Sequence, residues 1–474
     1  MRKRVLVVAL TATLSTAQSE ASEALGPTTA ASASTERGDL MTQNAVVEDL
    51  TYFRDVWAPK ERAFTPEARA QFNAFIADQI AKARPMSRVQ LALLFARGEA
   101  YTGNAHSASN YFQVDGLFHT LPISFWTFAD GPFVTRAHPG FQELLGARIL
   151  RIEGLPFAEA AKRVGPLIVG TAERKRYLVP AFLSRVEVLE AVGLANNGRS
   201  SFDFLLPSGR TQRVVLGAAP GADTLAANST WVAALAPPKG LDSWAHVIDA
   251  TSTRPHYLAD PTEFTMDKIG DGSVPYIRST SLSSYTDDGS LVMAKSYKIM
   301  DDLVRREERP RDAVVDLRFN GGGNLFNILA FARELTELIP SDGRIYVITG
   351  RTTFSAAIVF AALLKAEAKG RVIIVGEPVT DNLHWWSEGD TLTTPNSKLP
   401  LHYTTGYHDW ANGCSDLDRC YWPVVFHGVA VGTLDPDIPV DETFAQYAAG
   451  DDPALDAALS DIARRRSAGN RGNH

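Results

Sequence analysis

A glycine triplet in the middle of the chain is the first stretch whose residue types could support chemistry. The segment AVVDLRFNGGGNLF, residues 313–326, leads from apolar strand-forming residues through a charged pair into Gly321, Gly322 and Gly323. It lacks the spacing of a P-loop or a dinucleotide-binding loop, so phosphate binding is disfavoured. Glycines ahead of a helix can turn backbone N–H groups toward a small negative charge, as an oxyanion hole requires, or can simply form a tight turn.

A serine one strand later is the second candidate. Ser355 lies in VITGRTTFSAAIVF, where a strand and a loop lead into a helix that begins with small residues. A serine in this place is often only an N-cap. Its hydroxyl can also act as a nucleophile, because the helix N-terminus brings a positive dipole end and free N–H donors close to it.

These two loops belong to an alternating pattern that begins near Val274. Strand and helix patterns follow one another through VPYIRSTSL, LVMAKSYKIMDDLVRRE, DAVVDLRF, NLFNILAFARELTELI, GRIYVITG, SAAIVFAALLKAEA and RVIIVGE. Such alternation predicts a parallel sheet with crossover helices. Ligands meet open sheets of this type at the carboxyl ends of the strands, which is where both loops lie.

The regions before this sheet have different patterns. Helical patterns come first, with Thr65 and Ser87 as expected N-caps and Pro66 at a first helical position. A β-rich region follows, and after it a stretch rich in Gly, Pro and Ala. The predicted boundaries are a signal peptide at 1–22, a disordered tract at 23–43, a helical domain at 44–117, a β-rich domain at 118–218, a linker or arm at 219–273 and an α/β domain at 274–474.

The β-rich region resembles a PDZ-like module. GARILRIEGLPF, residues 146–157, matches the strand, the I-x-G-x-P turn and the following helix of such modules, and a terminal hairpin is expected at Ser208 and Gly209. The resemblance implies a sheet edge to which an extended peptide adds as a strand. A β-rich spacer without a binding groove is the alternative.

The N-terminus has the layout of a secretory signal peptide. Basic residues at positions 2–4 precede an apolar stretch from Val5 to Leu14, which is too short to anchor the chain in a bilayer. A buried strand behind basic residues is the alternative. The mature chain is therefore expected to be exported, periplasmic or extracellular, without a stable membrane span.

Composition and cysteine usage narrow the function further. A net charge of -7, with no basic block among aromatics, gives no reason to expect a nucleic-acid partner. Cys414 and Cys420 suit a local disulfide in an exported protein, whereas free thiols are expected if export is wrong. His408 and His427 flank this pair at a spacing that does not favour zinc, so no metal or other cofactor is expected.

Taken in order, the motifs resemble the C-terminal-processing (tail-specific) and tricorn-type serine peptidases. VVDLRFNGGGN, the serine before a small-residue helix, VIIVGEPVT and LDPDIPVDETFAQYAAGDDPALDAAL carry the resemblance, which extends back to GNAHSAS. It implies a multidomain α/β fold with an N-terminal helical domain, a PDZ-like domain and a ClpP/crotonase-like catalytic core. It also implies a hydrolase that cleaves peptides or the tails of unfolded proteins through an acyl-enzyme.

The resemblance assigns roles residue by residue. Ser355 matches the nucleophile, and Gly322, with Gly323 as its neighbour, matches the glycine whose N–H holds the oxyanion. Ala356, directly after the serine, supplies the second N–H. The triplet is thus expected to hold the oxygen of a tetrahedral intermediate.

The residue expected to act as the general base differs from that of one branch of the family. Processing peptidases use a lysine after the GE-x-T strand end, but no lysine lies between Arg371 and Lys398. The tricorn-type branch uses a histidine ahead of the PDZ-like region, and His106 in GNAHSAS takes that place. The serine that precedes this histidine in tricorn is Ala105 here, so that relay is incomplete.

A third group normally orients the imidazole of such a pair. Glu377, Glu388, Asp409 and Asp416 are the candidates, and Glu388 is preferred because it matches an acidic position before PNS in bacterial relatives. Two other functions compete with a peptidase. A catalytically inactive peptide-binding homologue fits the absent lysine, and a small-ester hydrolase could use the same oxyanion hole. Nothing in the sequence specifies an oligomeric state.

Overall fold

The computed structural model describes residues 40–219, 234–236, 243–250, 253–258, 264–285, 289–306 and 308–471. The helices in these ranges are α1 (Gln43–Tyr52), α2 (Pro66–Ala81), α3 (Arg88–Glu99), α4 (Phe157–Val164), α5 (Ala172–Leu183), α6 (Val186–Ala191), α7 (Val292–Val304), α8 (Leu329–Leu338), α9 (Ala356–Glu367), α10 (Trp422–His427), α11 (Phe444–Ala449) and α12 (Pro453–Arg471). The strands are β1 (Ile123–Phe128), β2 (Gly131–Ala137), β3 (Arg148–Ile152), β4 (Leu155–Pro156), β5 (Ser200–Leu205), β6 (Thr211–Leu216), β7 (Ala245–His246), β8 (Phe264–Ile269), β9 (Val274–Ser279), β10 (Ala313–Asp316), β11 (Ile345–Thr349), β12 (Val372–Gly376), β13 (His384–Ser387), β14 (Asp390–Thr393), β15 (Pro400–Tyr403), β16 (Gly406–Asp409) and β17 (Ile438–Pro439).

The N-terminal helices begin where the sequence predicts. Thr65 caps α2 by accepting a hydrogen bond from the Ala68 N–H, with Pro66 in the first turn. Ser87 and Gln90 form a reciprocal capping box at the start of α3. Both caps satisfy N–H groups that the helix itself leaves without acceptors, and both predictions are confirmed.

These helices share one hydrophobic core with a hairpin from the C-terminal third of the chain. Leu401 in β15 and Leu399 just before it pack into the hydrophobic cluster that contains Trp57. The Trp57 indole donates to the His402 carbonyl at 2.6 Å, and the buried Asp49 carboxylate accepts from the Ser397 N–H at 2.8 Å. The N-terminal helices are thereby fixed to the loops that follow the parallel sheet.

An antiparallel sheet occupies the β-rich region. Its strand order is β1-β2-β3-β5-β6, with β4 paired to β3 and β7 paired to β2. Strands β5 and β6 form the expected hairpin around Ser208 and Gly209. Alternate residues of β5 are buried in a core that α4, α5 and α6 cover. The α5 helix matters most here, because one of its residues reaches the candidate site.

A six-stranded sheet in the order β17-β12-β11-β10-β9-β8 forms the C-terminal part. All its pairs are parallel except β8 with β9. Every residue of β9, β10 and β11 is buried, because α7, α8 and α9 cover one face and α12 packs against the other. The predicted alternation of parallel strands and crossover helices from Val274 to Gly376 is confirmed.

Other predictions about the architecture keep the status of predictions. The structure establishes a mixed helix and sheet fold with several sheets. The assignments PDZ-like and ClpP/crotonase-like and the domain boundaries are more specific than this and stay predictions. The range 219–273, predicted as a linker or arm, contains β7 and β8. Strand β7 pairs with β2 in the antiparallel sheet, and β8 is an edge strand of the six-stranded sheet. The signal peptide lies outside the described residues. No helix among those described combines the length and apolar character that a membrane crossing needs.

The two cysteines are joined. Cys414 and Cys420 form a disulfide that closes a loop between β16 and α10. Short loops of this kind gain less from a cross-link than long ones, so the bond is expected to fix local geometry more than global stability.

This bond gives a direct chemical prediction. In protein denatured without reductant, Cys414 and Cys420 should resist a thiol-alkylating reagent, and both should become labelled after reduction. Mass spectrometry of the intact chain measures the number of labels. Full labelling without reductant would contradict the disulfide and weaken the case for export.

Candidate active site

The pairing of β10 with β11 brings the two candidate loops together. In this parallel pair Asp316 lies opposite Ile348, so both strands end at the same edge of the sheet. The glycine triplet follows β10, and Ser355 follows β11 at the first position before α9. Both residues therefore lie at the carboxyl edge where ligands meet such sheets.

Ser355 has an unusual backbone conformation for a residue with a side chain. Its φ of 53° and ψ of -124° lie in a region that L-residues rarely adopt, and the surrounding structure must hold it there. Its hydroxyl does not cap α9. The alternative explanation of Ser355 as an ordinary N-cap is therefore not supported, because the side chain leaves the helix N–H groups unbonded.

Hydrogen bonds hold this turn against the glycine loop. Thr353 Oγ1 donates to the Leu317 carbonyl at 2.7 Å, and the Phe354 N–H donates to the Asn320 carbonyl at 3.0 Å. The buried Asn320 amide in turn donates to Ser279 Oγ, at the end of β9, at 2.8 Å. The ends of three neighbouring strands are thus tied into one rigid base beneath Ser355.

The glycines of the triplet are required by close approach as well as by backbone angle. A Cβ on Gly322 would lie 2.6 Å from the Ser355 Cβ, and one on Gly323 would lie 2.2 Å from the Leu282 carbonyl carbon. Both residues also have positive φ, at 98° and 136°. A side chain at position 322 would therefore push the loop away from Ser355, and one at position 323 would push it away from Leu282.

The N–H groups near Ser355 differ from the sequence expectation in one respect. The Gly322 N–H donates to Asn320 Oδ1 at 2.9 Å, so in this arrangement it is not available to an oxyanion. Within the described residues, no hydrogen bond is formed by the N–H of Gly323 or by that of Ala356. These two donors fit the oxyanion role better than the Gly322 donor does.

His106 is brought to the site by the N-terminal region. Its imidazole stacks on the Phe354 ring with centroids 4.2 Å apart and lies beside the Trp385 indole at 5.6 Å. Asn104 fixes this turn to β13, since its side chain accepts from the Trp386 N–H at 3.0 Å and donates to the Trp386 carbonyl at 2.9 Å. The histidine thus contacts the residue directly before Ser355.

The imidazole of His106 is not hydrogen-bonded to Ser355. Both ring nitrogens are inaccessible to solvent and have no hydrogen-bond partner among the described residues. Burial lowers the pKa of His106 well below its usual range, and the positive charge of Arg174 lowers it further. The ring is therefore neutral near pH 7, the state that a general base needs.

An aspartate that the sequence did not single out is the carboxylate next to His106. Asp381 Oδ2 lies 3.7 Å from His106 Nδ1, slightly beyond hydrogen-bond distance, and has no hydrogen-bond partner among the described residues. Asp381 belongs to the loop after β12, at the same edge of the sheet as Ser355. Burial raises the pKa of Asp381 to about 6, although Arg174 opposes the shift.

The four acidic candidates from the sequence have other contacts. Glu388, the preferred one, lies 3.5 Å from His408 Nε2. Glu377 is paired with Arg351 at 2.6 Å, which holds its pKa at about 2. Asp409 and Asp416 accept from backbone N–H groups of their own loops. The expectation that Glu388 orients His106 is therefore not supported by the geometry.

A cavity of about 670 Å³ opens beside the glycine triplet. One wall consists of Gly321, Gly322, Gly323, Thr352 and Phe354. The opposite wall comes from α5 and from the loop at 108–113, and it is mainly apolar and aromatic. The volume lies within the range of small-molecule pockets, and the cavity is lined by Phe354, the residue directly before Ser355.

Comparison with known proteins gives the fold but no close relative. No protein-family model and no curated protein sequence matches the chain. The crystal structure of mature CPAF matches with 14% identity and a TM-score of 0.54, over 86% of this chain and 94% of that chain. Mature CPAF complexed with lactacystin matches with 14% identity and a TM-score of 0.54, over 89% and 97%.

A photosystem II D1 C-terminal processing protease matches with 13% identity over 84% of this chain and 93% of that chain, at a TM-score of 0.36. The likeness to the two CPAF structures shows a shared fold, and at 14% identity it does not transfer an activity. The chain therefore has the mixed helix and sheet fold of mature CPAF.

Proposed function

We propose that the protein is a serine peptidase of the C-terminal-processing or tricorn type that hydrolyses peptides through an acyl-enzyme. The main support for this proposal is the strained Ser355. Its hydroxyl forms no hydrogen bond within the described residues, and its backbone lies against Gly322. Backbone strain at a residue whose side chain makes no hydrogen bond within the described residues is typical of a functional site. The sequence resemblance and the fold support the same function.

The reaction follows from the positions of the groups. Ser355 Oγ attacks the scissile carbonyl carbon and its proton passes to the neutral His106. The N–H groups of Ala356 and Gly323 hold the resulting oxyanion. His106 then gives the proton to the leaving amine, and a water molecule hydrolyses the acyl-enzyme by the same two proton transfers in sequence.

Asp381 is the group that stabilises His106 as it becomes charged. At 3.7 Å its carboxylate can attract the imidazolium and fix the ring orientation, while the low pKa of His106 keeps the resting ring neutral. His106 must move closer to Ser355 before the proton can pass. Catalytic hydrogen bonds are often long in the absence of substrate and tighten when it binds.

The same missing hydrogen bond favours one other function. If His106 stays apart from Ser355 with substrate bound, the cavity would hold a peptide without cleaving it. The protein would then be a catalytically inactive peptide-binding homologue. Export, which the signal-peptide pattern and the Cys414–Cys420 disulfide support, is compatible with both functions.

A labelled fluorophosphonate separates these functions. We expect covalent capture at Ser355, found by peptide mapping, and loss of both capture and hydrolysis in Ser355→Ala with an unchanged melting temperature. Ser387→Ala is the matched control, because Ser387 Oγ lies 2.9 Å from His408 Nε2 and forms another serine-histidine contact nearby. No capture in folded wild-type protein would favour the binder, and capture at Ser387 would contradict the assignment of the nucleophile.

The role of Asp381 gives a pH prediction with a definite sign. Its pKa of about 6 means that the carboxylate is present above that pH and lost below it, whereas His106 stays neutral throughout. Turnover of an unfolded protein substrate should therefore fall as pH drops through about 6 and be flat above about 7. Asp381→Asn should lower turnover by on the order of 10² to 10⁴ and abolish this acid limb.

Glu388→Gln is the comparison for this test, because it removes the carboxylate that the sequence alone would choose. We expect a change of less than about tenfold and an unchanged acid limb, since Glu388 contacts His408. A large loss in Glu388→Gln together with a small loss in Asp381→Asn would return the orienting role to Glu388.

A further inference from the structure

The guanidinium group of Arg174 lines the cavity beside the glycine triplet and has no hydrogen-bond acceptor among the described residues. Arg174 lies in the first turn of α5, where its N–H bonds to Thr171, and its side chain lines the cavity with the glycine triplet. Its Nε is inaccessible to solvent and without a hydrogen-bond partner among the described residues. No ion pair within that part of the chain involves its terminal nitrogens, which keep access to the cavity.

Two buried arginines of this protein, Arg351 and Arg318, are paired with carboxylates, whereas the half-buried Arg174 has no such partner among the described residues. Arg351 is bound by Glu377 at 2.6 Å, and Arg318 is bound by Asp316 and Asp452, both at 2.7 Å. Pairing is the usual condition under which a protein buries a guanidinium, because an unpaired charge loses its hydration without compensation. Burial lowers the pKa of Arg174, and the negative charge of Asp381 offsets only part of this shift. The guanidinium N–H groups of Arg174 could therefore bind an acceptor on a ligand.

The position of Arg174 connects it to the reacting atoms. Its guanidinium carbon lies 4.4 Å from the centre of the Phe354 ring, the same ring on which His106 stacks. Phe354 is followed directly by Ser355, and Gly322 and Gly323 line the same cavity. A group bound to Arg174 would therefore lie close to a substrate bond that Ser355 attacks.

We propose that Arg174 forms a carboxylate-binding subsite next to the scissile bond, so that the preferred substrates carry a carboxylate near the cleavage position. This inference rests on the proposed peptidase function and names its substrate class. A planar guanidinium matches a carboxylate with two parallel hydrogen bonds. The carboxylate is either the C-terminal α-carboxylate of a peptide or an Asp or Glu side chain.

The rest of the cavity favours a single negative charge in an apolar setting. Among its lining residues in the described part of the chain, Arg174 is the one cation, and Glu99 contributes a carboxyl group whose burial raises its pKa to about 8. A dianion such as a phosphate would need a second cation. Leu178, Phe182 and Ile168 instead offer contacts to apolar side chains beside the carboxylate.

Binding measurements on the full chain test the inference without relying on turnover. Four dye-labelled peptides of one apolar sequence are compared by fluorescence anisotropy: a free C-terminus, a C-terminal amide, and amidated versions with one internal Glu or the matching Gln. Ser355→Ala protein is used so that the peptides stay intact. We expect the free acid or the Glu peptide to bind about 10- to 100-fold more tightly than its neutral partner.

The two sources of the carboxylate give different results. Preference for the free C-terminus over its amide indicates recognition of a chain end. Preference for internal Glu over Gln indicates recognition of an acidic side chain. If all four peptides bind this protein with equal affinity, the inference is wrong. This outcome does not depend on any substitution of Arg174.

Variants at position 174 then test the residue itself. Arg174→Gln should remove the preference, leaving affinity for the neutral peptides within about twofold, and Arg174→Lys should retain part of it because the charge remains but the planar fork is lost. Lys175→Gln is the matched control, since it removes the same charge from the next residue of α5, which lines a different cavity. Equal losses for acidic and neutral peptides in Arg174→Gln would mean a structural role and overturn the inference.

Failure of the inference can be distinguished from failure of the proposed function. Wild-type protein that hydrolyses all peptides without a carboxylate preference refutes the subsite and leaves the peptidase intact. A carboxylate preference in a protein that never hydrolyses any peptide supports the subsite and refutes the peptidase. Should Arg174→Gln not fold, Arg174→Lys and the peptide comparison on unchanged Arg174 still decide the question.

Discussion

The parallel pairing of β10 with β11 is the constraint on which the candidate site depends. It places the ends of both strands at one edge, so the glycine triplet and Ser355 meet although more than thirty positions of chain separate them. The charged pair before the triplet secures this edge from behind. The Arg318 guanidinium is buried and bonded to Asp316 and Asp452, and Tyr276 donates to Asp316 at 2.6 Å. This network connects β9, β10 and the start of α12, and breaking one partner would leave an uncompensated buried charge.

The base arrives by a different route, through the N-terminal helices. Their shared core with β15 fixes the segment that follows α3, and Asn104 then bonds to β13 as a neighbouring strand would. This docking buries His106 between Phe354 and Trp385 and removes its nitrogens from water. The packing that delivers the histidine is therefore also what lowers its pKa, and position and chemistry have one cause.

Sequence patterns predicted the parts of this arrangement that local rules control. Strand and helix order, the caps at Thr65 and Ser87 and the meeting of the triplet with Ser355 all follow from periodicity, capping chemistry and the geometry of parallel sheets. The position of His106 near Ser355 was predicted from the family resemblance and not from any local pattern in the sequence. Local patterns could not select Asp381, because an irregular loop decides where its side chain points. The family resemblance favoured Glu388, which the pairing of β13 with β16 brings to His408. The use of the Gly322 N–H by Asn320 is likewise a detail of loop geometry.

Several buried polar atoms near Ser355 have no hydrogen-bond partner among the described residues. Buried atoms without partners in the described residues include both nitrogens of His106, Oδ2 of Asp381, Nε of Arg174 and Nε1 of Trp385, together with atoms in other parts of the core such as Oγ of Ser200. Each such atom costs about 1 to 3 kcal/mol relative to a bonded one, whereas the Asp316–Arg318 network nearby is fully bonded. A sequence able to satisfy one buried network could have satisfied the other. Unbonded polar atoms beside the strained Ser355 support the proposal that this region binds a substrate, at the expense of its own stability.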